Sequence, residues 1–434
     1  MRYKSAWLLW GLASGGPPAA AQDDFERAPI AYSQSVAENA VTRLEAAVEA
    51  GAARLEHSDD GGYLRSLLAA LDVPVASQVL VFSQTSLQRD RISPRFPRAV
   101  YFNDEVYVGY CQGGEVLEIS TVDPHLGTAF YTLDQQESTT PRFTRQTDNC
   151  LTCHSSSRTG SVPGHLVRSL YVDPTGQPLL SAGSYAADHT TPFAHRWGGW
   201  YVTGVHGAQR HLGNRIVPRG EDPRQADASS SQNVTDLAPY CAIDRYLSPH
   251  SDLAALMVLE HQTLVHNRLT QANFVARQAL HYEAELNRAL GNPSDQRLDS
   301  TTRRIQNAGD HLVEALLLSG EARLTEPVRG TAGFAEEFAR HGPRDPGGRS
   351  LRTLDLERRL FRYPCSYLIY SSAFAALPDP MRAYVAERLW RVLAQGEGGP
   401  AFAHLSAADR RALVEILQAT ARGLPAPWPP ATGG

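Results

Sequence analysis

Lysine is almost missing from this 434-residue chain: Lys4 is the only one, and the rest of its 41 basic residues are arginine. A lysine ring for docking an acidic protein is therefore absent. With a formal net charge of −5, nothing suggests a nucleic-acid surface or an anionic-membrane surface. Five cysteines are too few for a disulfide scaffold. They include a single Cys-x-x-Cys pair, so the second pair of a closed zinc site is lacking. Methionine is scarce, with Met257 and Met381 following Met1. The apolar run Ala6–Ala13 is too short to cross a bilayer. No internal repeat, phosphate loop, dinucleotide fingerprint or Ser-His-Asp order stands in a convincing context.

The most informative stretch is Cys150-Leu151-Thr152-Cys153-His154. Two thiols three residues apart lie about one helical turn apart, so both can reach the two vinyl edges of one porphyrin. The histidine that follows is placed to offer its imidazole to the iron. Half of a zinc site or a redox dithiol uses the same cysteine spacing, and both readings stay open from the residues alone. The five residues resemble the haem-attachment motif of the c-type cytochromes. The resemblance extends to a secretory leader and no further along the chain. It implies one haem c, covalently held by Cys150 and Cys153, with His154 as the iron ligand.

The leader reading rests on residues 1–21. Arg2 and Lys4 form a charged start, residues 6–13 an apolar core, and Ala19-Ala20-Ala21 a cleavage site. Export and covalent haem attachment support each other, which predicts a periplasmic protein with no stable membrane insertion after cleavage. At this length two or three domains are expected. Residues 22–73 read as helical. Residues 74–216 read as a β-rich haem-bearing region, because period-two runs recur at Val79–Phe82, Ala99–Phe102, Val106–Tyr110, Val116–Ile119 and Ala129–Tyr131. The polar stretch 134–163 forms the loop around the cysteines. Residues 220–236 read as a linker, residues 237–424 as helical, and residues 425–434 as a disordered tail. The expected class is α+β. A meander placed ahead of the motif departs from the small all-α cytochromes c, where a helix leads directly into it.

Around this motif several residues are candidates for further roles. Arg142, Arg145 and Arg158 flank the cysteines and suit haem carboxylates. His165, His189, His195, His206, His211 and Met257 are candidates for the iron's sixth ligand, and an open position is the alternative. The stretch Arg196–Gly207 reads either as an aromatic wall for the porphyrin or as ordinary sheet core. A metal site from Glu260, His261 and His266 is disfavoured, because histidines five apart point about 140° away from each other on a helix. Among Cys111, Cys241 and Cys365 the preferred pairing is Cys111–Cys241, with Cys365 free and buried. The expected function is redox, as electron transfer with a protein partner or a small oxidant or reductant. A haem oxidoreductase such as a peroxidase, or a haem-based sensor, is the alternative.

Overall fold

The computed structural model describes residues 24–224, 229–421, 423–425 and 427–428. The expected leader lies outside these residues, as does the centre of the expected linker. Two short helices, α1 (Ala40–Glu49) and α2 (Leu64–Ala70), come first. Asn39 caps α1 by accepting hydrogen bonds from the Val41 and Thr42 amides, which have no partner inside the helix.

The chain then builds a seven-stranded antiparallel sheet. Its strands are β1 (Val79–Val81), β2 (Arg98–Phe102), β3 (Val106–Tyr110), β4 (Val116–Asp123), β5 (Gly127–Asp134) and β6 (Phe143–Gln146). Their spatial order is β6-β5-β4-β3-β2-β1, and a later two-residue strand closes the far edge beside β1. Tight turns set the registers. Asn103 Oδ1 accepts from the Glu105 and Val106 amides at the β2–β3 turn, and Asp123 Oδ1 accepts from the His125 and Leu126 amides at the β4–β5 turn. Both are short polar side chains mimicking a backbone turn.

Alternation gives the sheet two different faces. Leu80, Tyr101, Val108, Leu117, Ile119 and Leu133 point to one face and pack against Val41, Leu44, Leu64 and Leu67 of the first two helices. The opposite face carries Val79, Val81, Val100, Phe102 and Tyr107, which join the largest core of the molecule. Toward β4–β6 this second face turns polar, with Glu118, Ser120, Thr132 and Gln146 in the registers that continue it.

After β6 come a single helical turn, α3 (Leu151–His154), and a two-stranded ribbon of β7 (Arg168–Leu170) and β8 (Ser184–Ala186). The strand β9 (Trp200–Tyr201) then pairs with β1. The expected long strand over Arg196–Gly207 is cut to these two residues, because Trp197 at φ 64° and Gly199 at φ 83° turn the chain. The 38-residue helix α4 (Leu253–Leu290) follows, capped by Asp252 at one end and by left-handed Gly291 at the other. At 1.5 Å per residue it is about 57 Å long. Its first two-thirds are buried on almost every side, which is why its sequence shows little amphipathic stripe there. The remaining helices are α5 (Asp299–Leu316), α6 (Phe334–Arg340), α7 (Ser372–Ala375), α8 (Asp379–Leu393) and α9 (Ala407–Thr420).

The molecule is α+β, with its sheet in the first half and most of its helices in the second. The β-rich and helical regions share one core: Val79, Val81 and Trp200 lie in the same cluster as Leu256, Leu312, Leu389 and Leu417. The tail does not begin at Pro425, since Trp428 is buried and its indole N–H donates to Ala386 O at 2.8 Å. None of the cysteines is bonded, so the preferred Cys111–Cys241 pairing is not made. Both thiols are buried within electrostatic reach of Tyr246, and burial holds each of them neutral. Among the described residues no helix is long and apolar enough to cross a membrane.

Candidate functional site

The turn at Cys150–His154 is held by apolar packing on its inner side. Leu151 is buried in a small cluster with Phe25, Tyr32, Phe130 on β5, Val162 and Phe274 on α4, and Cys150 packs against its edge. That anchoring turns Cys153 out to solvent, and both thiols remain unbonded. Burial pushes the Cys150 thiol up to about 11.

His154 is fixed more tightly. Its Nδ1 donates to Gly164 O at 2.9 Å, and the Gly164 amide donates back to His154 O at 2.8 Å. A carbonyl can only accept, so the ring proton sits on Nδ1 and Nε2 carries the lone pair. Burial lowers the imidazole's pKa and so favours this neutral form. Phe130 supports the ring with centroids 4.9 Å apart.

The electrostatic surroundings were only partly legible. On the polar part of the sheet Arg98 pairs with Glu118 at 2.7 Å, and both act on Cys150 and on His154. Gly109 leaves room for this guanidinium, because a Cβ there would collide with it. Arg158 and Arg168 both reach Ser184 Oγ, at 3.3 and 3.4 Å. Arg168 also lies within electrostatic reach of Cys153, and its pKa is lowered by partial burial and by Arg158. Arg145 is committed elsewhere, donating to Tyr32 O and Ser35 O at 2.7 Å each, and Arg142 is exposed beside Glu45. Of the three expected arginines, Arg158 is the one beside Arg168, which lies within electrostatic reach of Cys153. The signal for Arg168 was a charged residue inside the apolar run Val167–Val172.

The six sixth-ligand candidates scatter. His165 lies near His154 but has both ring nitrogens engaged, Nε2 with Ser120 Oγ at 3.0 Å and Nδ1 with Thr128 Oγ1 at 3.4 Å. His189 shares a 3.0 Å hydrogen bond with His261, whose other nitrogen meets Ser366. His195 is exposed and stacked on Tyr185. His206 accepts from the Asn233 amide, and buried His211 packs between it and Trp197. Met257 is inside the large core.

A second polar concentration lies at the N-terminal part of α4. Glu260, fully buried, pairs with buried Arg196 at 3.0 Å, and Arg196 also donates to Thr191 O and His189 O. His261 and His266 turn to different partners, His266 to Tyr107, so the three do not converge. Among the described residues no group of three or more His, Cys, Asp or Glu could hold a metal ion.

Elsewhere, a cleft of about 590 Å³ opens beside the β2–β3 turn, walled by Phe102, Phe334 and Tyr367 and headed by Arg352. Arg352 is held there by both Asp104 oxygens and lies 3.9 Å from the Phe338 ring centre. Set against protein-family models, curated proteins and solved structures, the chain matches none of them.

Proposed function

We propose that this chain is an exported redox protein that carries one haem c, held by Cys150 and Cys153 with His154 as the iron ligand, and that it transfers electrons. The observation that carries the reading is the state of His154. Its Nδ1 is tied to a backbone carbonyl and its Nε2 is left with a lone pair, directly after two unbonded thiols one turn apart. Metal-binding histidines are regularly oriented in this way by a hydrogen bond from the other ring nitrogen. The donor set therefore fits the group.

When bound, the haem supplies an iron that gains or loses one electron. The chain's own residues do the rest. Cys150 and Cys153 fix the porphyrin edge through thioethers, and Leu151 and Phe130 keep water from the inner side of His154. Arg158 and Arg168, with no carboxylate within salt-bridge distance among the described residues, suit the two propionates. The net acidic, lysine-poor chain suits a small-molecule partner or a basic protein partner.

A haem oxidoreductase or sensor with an open sixth position is the second reading. What favours it is that the nearby His165 already uses both ring nitrogens within the protein. Optical spectra of the exported protein test both readings. A thioether-haem spectrum lost in Cys150→Ala/Cys153→Ala supports the haem assignment, and a colourless wild-type protein ends it. A low-spin haem that ignores CO supports electron transfer. Ready CO binding moves the open-site reading ahead.

A further inference from the structure

The loop that supplies the His154 hydrogen-bond acceptor does not stand alone. From the far side α4 presents a stripe of four residues, Asn267, Thr270, Gln271 and Phe274, at the three-and-four spacing that puts side chains on one helix face. Asn267 grips the backbone of the residue after Gly164 at both ends. Its Oδ1 accepts from the His165 amide at 2.9 Å, and its Nδ2 donates to His165 O at 2.8 Å. One turn on, Gln271 Nε2 donates to Gly160 O at 2.9 Å, and Arg268 holds Gln271 Oε1 at 2.7 Å. Phe274 completes the stripe by packing in the cluster that buries Leu151.

The loop's glycines fit this grip. A Cβ on Gly164 would overlap Asn267 Oδ1, and a Cβ on Gly160 would overlap Gln271 Nε2. Gly160 also sits at φ 75°, where a side chain is strained. The amide of Asn267 is itself buried, so it has no water to exchange for these bonds.

We infer that Asn267 is a positioning residue: by clamping Gly164–His165 onto α4 it fixes the carbonyl that holds His154 in its Nδ1-protonated, Nε2-free form, and so sets the donor strength of Nε2. Its application to iron rests on the haem reading above, whereas the tautomer assignment stands without it. The physical link is short. A carbonyl held rigidly against Nδ1–H makes the imidazole a stronger donor, and a stronger donor favours the ferric over the ferrous state. Releasing the clamp weakens that bond and shifts the balance toward ferrous.

The test uses the full chain and the variants Asn267→Ala, Gly164→Ala and Gly164→Ala/Asn267→Ala. ¹⁵N NMR of the His154 ring reads the tautomer in haem-free protein, and a spectroelectrochemical titration reads the potential of haem-loaded protein. Expected is a loss of the pure Nδ1–H signature in Asn267→Ala. In haem-loaded protein, where ligation through Nε2 keeps the proton on Nδ1, the expected change is a tenfold rise in the ferrous:ferric ratio at fixed poise, about 59 mV for one electron. Gly164→Ala should behave alike, and the double variant should shift no further than Asn267→Ala, because both changes act through the one clamp. An Asn267→Ala protein that is folded at the measuring temperature with an unaltered tautomer and an unaltered potential overturns the inference, whatever its melting temperature. A wild-type chain without covalent haem defeats the haem reading, and the tautomer measurement then decides the clamp alone.

Discussion

Two segments of α4, about two turns apart, treat polar groups in opposite ways. Around Glu260 the helix buries a charge and answers it with another charge, Arg196, while His261 is tied to His189 and Ser366. Around Asn267 it uses neutral amides, which bond to loop backbone, with Arg268 holding the Gln271 oxygen. The first arrangement closes in on itself. The second leaves the side chains it positions, Cys150, Cys153 and His154, with their chemistry unspent. Burial of polar groups is thus no guide to function by itself; what matters is whether reactive atoms remain unpartnered on an accessible side.

Breaking the charged segment should have the largest effect. Arg196→Met leaves Glu260 buried and unpaired, and should cost about 3–5 kcal/mol in urea unfolding. The double variant Arg196→Met/Glu260→Met removes both charges and should regain most of that loss. A double variant no better than the single one would show that packing around Arg196, not its charge, is what matters.

The pH dependence of stability sharpens the same contrast. Burial lowers His211 to about 3 and His189 to about 4, so both stay neutral when folded and take up protons on unfolding. Their contribution is full above the ordinary histidine value and is lost as pH falls toward 4 and 3. Melting temperature should therefore fall as pH drops below the ordinary histidine value. His211→Phe should flatten this acid limb, whereas the Arg196–Glu260 pair favours the charged carboxylate against the pull of burial. An unchanged acid slope in His211→Phe would assign the limb to other groups.

The smallest effect is expected at the motif itself. Cys153 is exposed and unbonded, so Cys153→Ser should change the stability of haem-free protein by less than about 0.5 kcal/mol. The same change should remove one of the two thioethers, read as a shifted α-band in the pyridine haemochrome. A large loss of stability would mean that Cys153 has a structural role.

Much of the scaffold was legible because its signals are local. The runs Val79–Phe82 through Ala129–Tyr131 became β1–β5, since short apolar segments rich in β-branched and aromatic residues and bounded by turn residues are a local strand signal. The run Gly291-Asn292-Pro293 reads as the stop that ends α4, whereas the cap is Asp252 and not Ser251 or Ser248, the serines expected there. Strand β6 was hidden in the polar stretch around the cysteines, because a short edge strand with exposed Thr144 has no hydrophobic signature. Arg145 looked like a haem partner by proximity in sequence. The pairing of β5 with β6 directs it instead toward the carbonyls of Tyr32 and Ser35.

The sequence by itself determined the spacing Cys150–Cys153–His154, the class of the fold and the glycine stop of its long helix, because each depends on residues within a few positions of one another. Tertiary structure alone decided which nitrogen of His154 is free, which arginines lie beside the motif, and that residues more than 100 positions downstream of it, Asn267 and Gln271 on α4 and Arg196's partner Glu260, belong to the two polar centres. These are long-range contacts. They follow from which sheet face the helix covers and at what rotation, and no local pattern in the chain carries that information.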